Sequence, residues 1–425
     1  MNNNVLIIGS GIAGMDASLM LSRAGKKVFL VEKLSLIGGK IIKNEESFPN
    51  LDCSTCLIAP IQQDILQDKN IEVMTVSTVQ KVEGTAGNFK VKIFKKARYV
   101  NMQDCLGCGM CYPPCPVSQI NEWEENLMEK KAVYVPTAGS LPNVPVIDAD
   151  KCLRLNGTEE CNKCAEACMF GAIDFTEKDE EIEVEVGSII VATGFDTLDV
   201  SEMENLGYGK ISGVYTALEF ERLFSSNGPT EGKLTLRDSK KSPESIAIIH
   251  CVGRDDVGYC SSVCCTYSAK HAHFLKHKLP NAKIYNFYND ICLPDKTYQK
   301  FHEKIKGHAT EFIFQADRNK MNIIQKGAKI EVSYIDKKDI KNSVLVDMVI
   351  LANAMVPANS STELYETLGI ETDKYGFVAS QTFRIGSVAT SKPGIFVAGC
   401  AEGPKDIQSS VIQAEAAVAQ ILSKN

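Results

Sequence analysis

Apolar runs followed by glycine turns give the chain the pattern of an α/β protein. The run Val5–Ile8 leads into the turn Gly9–Gly14, and the next residues predict a helix over Met15–Ala24 that ends at Gly25. A second apolar run, Lys27–Glu32, predicts the following strand. A buried strand, a glycine turn, a helix and a second strand in this order predict a parallel βαβ unit.

The same pattern returns later in the chain and predicts a second α/β unit. Ser245–Cys251 predicts a strand, Tyr267–Lys278 a helix and Ala282–Tyr288 a further strand. Asp347–Asn353 predicts the strand that completes this unit, and Ser409–Leu422 predicts the last helix of the chain. The chain is therefore expected to contain two dinucleotide-binding-like domains.

Shorter segments lie between these two units. Val73–Gln80 and Phe89–Phe94 alternate in polarity and predict the strands of a small β excursion, and Ala172–Phe175 predicts another short strand. Residues 99–176 cannot form one continuous helix, because prolines interrupt them. These prolines are Pro136, Pro142 and Pro145.

The first glycine turn has the G-x-G-x-x-G spacing of a dinucleotide-binding turn. Its glycines, Gly9, Gly11 and Gly14, allow a tight turn and the close approach of a pyrophosphate to the helix N-terminus. Glu32, 18 positions after Gly14, can accept a hydrogen bond from a ribose hydroxyl and disfavours a 2′-phosphate. The spacing alone is a weak signal, but strand, helix and acidic residue together predict dinucleotide binding.

Two cysteine runs lie in residues 99–176. The first has the spacing C-x2-C-x2-C-x3-C-P, and the second places one thiol before a C-x2-C-x3-C run. In two-cluster ferredoxins the fourth Cys of each run serves the other cluster. We therefore assign a first cysteine group to one 4Fe–4S cluster and a second group to another. The first group is Cys105, Cys108, Cys111 and Cys168, and the second is Cys152, Cys161, Cys164 and Cys115. Zinc knuckles or unrelated cysteines are the alternative, but zinc sites usually end in His or a second CxxC pair, and neither run does.

A third cysteine group follows the strand Ser245–Cys251, where a pyridine-nucleotide domain would carry its glycine turn. That turn is absent, and the spacing C-x8-C-x3-C-C stands in its place. We predict a third cluster on these residues, with buried structural thiols as the alternative. The group is Cys251, Cys260, Cys264 and Cys265. Nearby histidines are interpreted as solvated or packing residues: His250, His271, His273 and His277.

A separate CxxC pair, Cys53 and Cys56, lies on a predicted loop or helix start. Its role remains open between a redox dithiol, cluster ligands and packing near a flavin. Cys292 and Cys400 also remain without a role once the three groups are assigned.

Composition and charge narrow the possible functions. The 425 residues suffice for two or three domains, and the net charge of −7 argues against a non-specific nucleic-acid surface. No apolar run is long enough to predict a membrane span, and no signal-peptide pattern precedes the first strand, which predicts a cytoplasmic protein. The 16 cysteines then favour metal ligation in a reducing compartment over a disulfide framework.

Four segments together resemble the flavin-containing A subunits of heterodisulfide reductases. They are Phe48–Cys56, the insertion at residues 99–176, Cys251–Cys265 and Ala398–Ile407, and they span nearly the whole chain. The resemblance implies an oxidoreductase of α/β fold with two dinucleotide-binding domains, similar to thioredoxin reductase, and an inserted two-cluster ferredoxin-like domain. It also implies FAD and three 4Fe–4S clusters as cofactors.

The resemblance further implies which residues contact FAD. In related flavoprotein reductases an Asp stands where this chain has Cys400, and Lys405 is expected to tune the isoalloxazine ring. Lys405 is therefore a candidate catalytic residue, together with Cys53 and Cys56. The expected cofactor-binding residues are Gly9, Gly11, Gly14, Glu32, Lys33, Gly38, Gly39, Ala192, Thr193, Gly194, Gly399, Cys400, Lys405, Asp406 and Ile407.

The resemblance divides the chain into three parts of an FAD domain and two further domains. The FAD-domain parts are residues 1–98, 177–240 and 361–425, the insertion is 99–176, and the second dinucleotide-binding-like domain is 241–360. The N-terminal extension and the C-terminal ferredoxin domain of the methanogen type do not occur in this sequence. We expect separate subunits to supply those parts.

Electron transfer is therefore the main functional hypothesis, since FAD exchanges two electrons and each cluster takes one. Such a chain would pass electrons on or bifurcate them. The expected partners are heterodisulfide reductase B- and C-like subunits, hydrogenase- or quinone-linked subunits and ferredoxin, with a homodimer inside the complex. One alternative is an NADH-dependent disulfide reductase that uses Cys53 and Cys56. The other is a structural or relay flavin subunit of a quinone-interacting or other membrane-linked complex.

Overall fold

The computed structural model describes residues 2–307, 310–381 and 388–423. The strands are β1 (Val5–Ile8), β2 (Val28–Val31), β3 (Ile71–Met74), β4 (Ser77–Thr85), β5 (Asn88–Lys95), β6 (Ser118–Ile120), β7 (Glu129–Lys131), β8 (Val133–Tyr134), β9 (Val146–Ile147), β10 (Glu180–Val186), β11 (Ser188–Val191), β12 (Phe195–Thr197), β13 (Val214–Thr216), β14 (Ser245–Val252), β15 (Lys283–Tyr288), β16 (Glu311–Phe314), β17 (Asn322–Lys326), β18 (Lys329–Ile335), β19 (Lys341–Val346), β20 (Met348–Asn353), β21 (Met355–Pro357) and β22 (Ile395–Val397). The helices are α1 (Ile12–Arg23), α2 (Ser54–Gln67), α3 (Lys163–Glu166), α4 (Ala217–Phe224), α5 (Arg254–Val257), α6 (Cys264–Lys278), α7 (Lys296–Lys306), α8 (Thr362–Leu368) and α9 (Ile407–Leu422).

The first sheet joins both ends of the chain. Its five strands have the order β22-β11-β1-β2-β3, and all neighbours are parallel. Its central strands are apolar throughout, as expected for a parallel sheet that is covered on both faces. The helix predicted over Met15–Ala24 begins earlier, at Ile12, because Gly11 adopts extended backbone and forms its N-cap. The last helix likewise begins at Ile407, where Asp406 caps it.

A small antiparallel sheet of order β10-β5-β4 extends from this domain. The predicted strand Phe89–Phe94 lies within β5, but the single strand predicted over Val73–Gln80 is wrong. The chain divides there into β3, which joins the parallel sheet, and β4, which joins the antiparallel one. Val76 lies between them with φ +56°, a left-handed conformation that interrupts the extended backbone.

The second sheet is also parallel and has the order β13-β20-β14-β15-β16. The strands predicted over Ser245–Cys251, Ala282–Tyr288 and Asp347–Asn353 correspond to β14, β15 and β20. The expectation that residues 177–240 all belong to the FAD domain is corrected by β13. This strand pairs with β20 because its apolar residues find a free edge of the second sheet.

The insertion contains little regular structure. It has two short strand pairs, β6 with β7 and β8 with β9, and the short helix α3. The strand predicted over Ala172–Phe175 is wrong: Ile173 makes a single bridge to Val100, and Gly171 before it has φ +61°. The buried core consists mainly of cysteines and aliphatic side chains, so the cysteine groups themselves form the centre of this domain.

Charged contacts join the insertion to both larger domains. Arg222 on α4 forms a buried ion pair with Glu124 of the insertion, with 2.7 Å between Nε and Oε2. Glu125 pairs with Lys43 of the first domain, whose ammonium also lies over the ring of Trp123. Among the helices of the described residues, none is long and apolar enough to cross a membrane.

Candidate functional site

The first glycine turn brings the chain to the carboxyl end of β1 without room for side chains. A Cβ at Gly14 would lie 1.9 Å from the carbonyl oxygen of Gly9, and a Cβ at Gly9 would lie 2.4 Å from that of Ala192. A Cβ at Gly11, in contrast, would meet nothing within 4 Å. The open side of the turn therefore faces the N-terminus of α1, where backbone N–H groups favour an anion such as a pyrophosphate.

The predicted ribose-binding residue, Glu32, is buried at the end of β2. Its Oε2 accepts hydrogen bonds from the backbone N–H of Ser10 at 2.9 Å and from the Ser10 hydroxyl at 2.7 Å. Its Oε1 accepts from the backbone N–H of Leu34 at 2.8 Å. Glu32 thus binds the glycine turn itself, and its remaining lone pairs are available to a ribose hydroxyl.

The other predicted FAD residues surround the same turn. Gly39 has φ +61°, and a Cβ there would lie 2.7 Å from the Cα of Gly11. Gly38 lies directly before it, with φ +121°. From the β11 side, the hydroxyl of Thr193 lies 2.9 Å from that of Tyr365. The side chain of Lys33 points elsewhere and donates to the hydroxyl of Ser360 at 2.6 Å.

The N-terminus of α9 points toward this site from the last strand. Asp406 caps α9, and its Oδ1 accepts from the backbone N–H of Ser409 at 2.7 Å. Cys400, in the predicted Asp position, is buried, and burial raises the pKa of its thiol. The ammonium of Lys405 is paired with Glu402, so it is held beside the loop before α9. A helix N-terminus and an ammonium group both favour negative charge on a neighbouring ligand.

The insertion brings several members of the first and second cysteine groups close together. Burial, together with the nearby thiols of Cys164, Cys105 and Cys108, raises the pKa of Cys111 to about 12. Burial likewise raises the pKa of Cys164 to about 11, with Cys152 and Cys115 adding to the effect. One cavity is lined by all four members of the second group. These are Cys115, Cys152, Cys161 and Cys164.

The third group lies at the carboxyl end of β14 and the start of α6. Hydrogen bonds from the thiols of Cys264 and Cys265 lower the pKa of Cys251 to about 2, although burial opposes this shift. Cys251 has φ +58°, a left-handed conformation near the end of the strand. Arg254 and Arg318 lie on the same cavity as Cys251 and add positive charge around it.

Thiolates near cations suit an iron–sulfur cluster, and the donor set of each group fits one. Within residues 2–307, 310–381 and 388–423, however, no three His, Cys, Asp or Glu side chains stand in an arrangement ready to hold a metal ion. Of the nearby histidines, His250 is buried, and His271 bonds to Glu221 at 2.7 Å. Ligation by the three cysteine groups therefore stays a prediction.

Known proteins resemble the chain over nearly its whole length. The family described as FAD binding domain matches residues 4–43. The chain is 37% identical, over 99% of its length, to the A subunit of the H(2):CoB-CoM heterodisulfide,ferredoxin reductase of Methanothermobacter marburgensis, of which it covers 63%. It is 38% identical, over 98% of its length, to an iron-sulfur A subunit of the CoB--CoM heterodisulfide reductase of Methanopyrus kandleri, of which it covers 64%.

Over nearly its whole length the chain is thus similar to the A subunits of heterodisulfide reductases. It spans a little under two thirds of the length of these relatives. Among solved structures the chain resembles thioredoxin reductase of T. acidophilum, with a TM-score of 0.55 at 14% identity. The superposition covers 99% of this chain and 98% of that one. Lactococcus lactis thioredoxin reductase gives a TM-score of 0.54 at 16% identity, with 99% and 98% covered. The predicted two-dinucleotide-binding-domain fold is thereby confirmed.

The CxxC pair of the chain lies on the surface at the N-terminus of α2. The Cys53 thiol accepts a hydrogen bond from the backbone N–H of Cys56 at 3.3 Å and caps the helix. Hydrogen bonds from Cys56 and Thr55 lower the pKa of Cys53, and the same bond raises the pKa of Cys56. One reactive and one protonated thiol are typical of a redox dithiol, so this role remains open.

Two residues to which the sequence assigned no role contact the predicted sites. Tyr298, at the start of α7, donates a hydrogen bond to the free carboxylate oxygen of Asp406 and so joins the second domain to α9. Cys292 packs against the third cysteine group, and its backbone N–H donates to the Cys265 sulfur at 3.4 Å. Neither residue lies in a motif, and both contacts join segments distant in the sequence.

Proposed function

We propose that this chain is the electron-transfer flavin subunit of a heterodisulfide-reductase-type complex. FAD would bind at the glycine turn Gly9–Gly14, and 4Fe–4S clusters would bind at the three cysteine groups. When bound, the flavin exchanges two electrons and each cluster exchanges one. The residues of this chain would then position the flavin and the clusters for electron transfer and set the charge around each cofactor.

One packing cluster supports this proposal most strongly. Val263, the residue before Cys264, belongs to a buried apolar cluster with Met355 and Cys400, and Phe48 and Phe195 pack against this cluster. The cluster joins the start of α6, with its two thiols, to the loop that leads into α9. A centre at the third cysteine group would therefore adjoin the flavin site, as electron transfer between the two requires.

The polar groups around the flavin site and those around the third cysteine group would have different roles. The N-termini of α1 and α9 would bind the pyrophosphate and stabilise negative charge on the flavin ring. Lys405 would strengthen the field at the ring, although its pairing with Glu402 reduces its effect. Arg254 and Arg318 would offset the negative charge of a cluster with thiolate ligands.

The names of family members support a role inside a larger complex. One such name joins dihydrogen, the CoB–CoM heterodisulfide and ferredoxin, and another, from Methanosarcina mazei, joins ferredoxin and that heterodisulfide. We therefore propose heterodisulfide reductase B- and C-like, hydrogenase-linked or quinone-linked subunits as partners, with bifurcation between two acceptors. We further propose a cytoplasmic homodimer within that complex.

The surface dithiol favours a second candidate function, an NADH-dependent disulfide reductase. The hydrogen-bonded pair Cys53 and Cys56 could exchange with a substrate disulfide. The missing second glycine turn argues against it, because the third cysteine group occupies the place where NADH would bind.

An anaerobic reduction experiment separates these functions. Protein purified with its cofactors is mixed with NADH alone or with a low-potential one-electron donor, and the flavin and cluster absorbance bands are followed. We expect NADH alone to leave the flavin oxidised and the low-potential donor to reduce flavin and clusters together. Rapid bleaching by NADH alone would favour the disulfide reductase. Clusters that become reduced beside a flavin that stays oxidised would indicate a structural flavin.

A further inference from the structure

Apolar side chains are exposed around the first cysteine group. Each lies within three residues of a predicted ligand in the sequence, and we call them the apolar cap. The cap consists of Met102 (46% exposed), Leu106 (68%), Met110 (53%), Met169 (84%) and Phe170 (44%). Single exposed apolar residues are ordinary, but five beside one predicted redox centre indicate an interaction surface.

The two segments that carry the apolar cap are joined to each other. The backbone N–H of Asn101 donates to the carbonyl of Ala172 at 2.8 Å, and Val100 bridges to Ile173. The N–H of Ala172 donates in turn to the sulfur of Cys168 at 3.4 Å. The cap residues of both segments therefore lie on the same end of the insertion, around one group of ligands.

The two segments that carry the apolar cap contain acidic but no basic residues, although Arg154 from a neighbouring loop lies over the ring of Phe175. Residues 99–112 and 165–177 contain four acidic residues and neither Lys nor Arg. The acidic residues are Asp104, Glu166, Asp174 and Glu177. Three of them are exposed, so the rim presents negative charge to solvent. A partner that binds here needs an apolar face with positive residues around it.

We propose that the apolar cap is the docking surface for a protein electron carrier whose contact face is apolar and rimmed by Lys and Arg. This proposal rests on the proposed function, because the first cysteine group must hold a cluster. One electron would leave the reduced chain and reduce the carrier's redox centre by one, with no bond formed and no proton transferred. Cys108, which is exposed, would lie at the point of contact.

The test uses the full chain with its cofactors and oxidised cytochrome c, a basic one-electron acceptor, as the probe. The chain is reduced anaerobically, excess reductant is removed, and the rate of cytochrome c reduction is measured at low and high salt. We expect the variant Met169→Gln/Phe170→Ser to be slowed about tenfold at limiting probe concentration. The variant Asp104→Lys/Glu166→Lys should also be slowed, and should lose most of the salt dependence.

The control is Ile340→Ser/Leu345→Ser, which removes side chains of similar exposure, 52% and 50%, from the second domain. It should reduce cytochrome c at the wild-type rate. Equal rates of cytochrome c reduction by the cap variant and the control would overturn the proposal. The proposal would also be overturned if an acidic ferredoxin accepted electrons as fast as cytochrome c and with the same salt dependence. Iron and FAD content of every variant is measured in parallel. If the wild-type protein is found to contain no iron, the proposed function is refuted instead.

Discussion

The ion pair between Arg222 and Glu124 should anchor the insertion at residues 99–176 to the second domain. Arg222 is fully buried, and its Nε and Nη2 donate to both carboxylate oxygens of Glu124, at 2.7 and 3.1 Å. Its Nη1 donates to the backbone carbonyl of Lys43 at 2.8 Å. One guanidinium group therefore contacts the insertion and the first domain from a helix of the second domain.

The substitution Arg222→Met should release the insertion. It keeps most of the side-chain volume but leaves the carboxylate of Glu124 buried without a partner, which costs about 3–5 kcal/mol. Replacing both residues, in Arg222→Met/Glu124→Met, removes the unpaired charge and should recover most of this loss. The matched control is Lys130→Met in the same insertion. Its partner Glu122 is exposed, so that pair contributes less than about 1 kcal/mol.

Hydrogen exchange measured by mass spectrometry on the insertion is the assay. A loss of 3–5 kcal/mol predicts backbone amides of the insertion that exchange roughly a hundred- to several-thousand-fold faster in Arg222→Met. The double variant should return close to the wild type, and Lys130→Met should change little. An effect of Arg222→Met below about tenfold would refute the reasoning. A double variant as labile as the single one would also refute it, because the unpaired charge would then not be the cause.

Two further predictions concern the flavin turn and the surface dithiol. Gly39→Ala should lose FAD while iron content stays unchanged, because the added Cβ would lie 2.7 Å from the Cα of Gly11. Gly25→Ala, also at positive φ but with nothing within 4 Å, should keep its FAD, and equal loss in both variants would contradict the steric argument. Iodoacetamide should alkylate Cys53 faster than Cys56, since the lowered pKa of Cys53 leaves more thiolate at pH 8. Its rate should rise with pH and reach its midpoint at a lower pH than the rate of Cys56. Mass mapping that finds Cys56 modified first would contradict the assignment.

Local sequence determines the parts of the molecule that could be predicted. The turn Gly9–Gly14 requires glycine at positions where a Cβ would meet backbone, so the residue types and the geometry go together. The cysteine spacings of the insertion likewise predict thiols that come together on tight loops, and the four thiols of the second group do line one cavity. The strands β14 and β20 are buried along their whole length, and their mostly apolar runs are visible in the sequence.

Contacts between distant segments could not be predicted in this way. β13 lies in a stretch assigned to the FAD domain, yet it joins the second sheet. It pairs there because β20 offers a free edge, which the local sequence of β13 does not reveal. The bond between Tyr298 and Asp406 and the packing of Cys292 against Cys265 also depend on how the two domains meet. No periodicity marks such residues.

The iron-to-flavin ratio of anaerobically purified protein tests the central claim most directly, namely that three cysteine groups hold clusters beside one flavin. We predict about 12 iron atoms per FAD, and a fall to about 8 in Cys264→Ser/Cys265→Ser with the signals of the two ferredoxin-type clusters unchanged. About 8 iron atoms per FAD in the wild type, with no change in that variant, would contradict the account. The thiols at the start of α6 would then be structural.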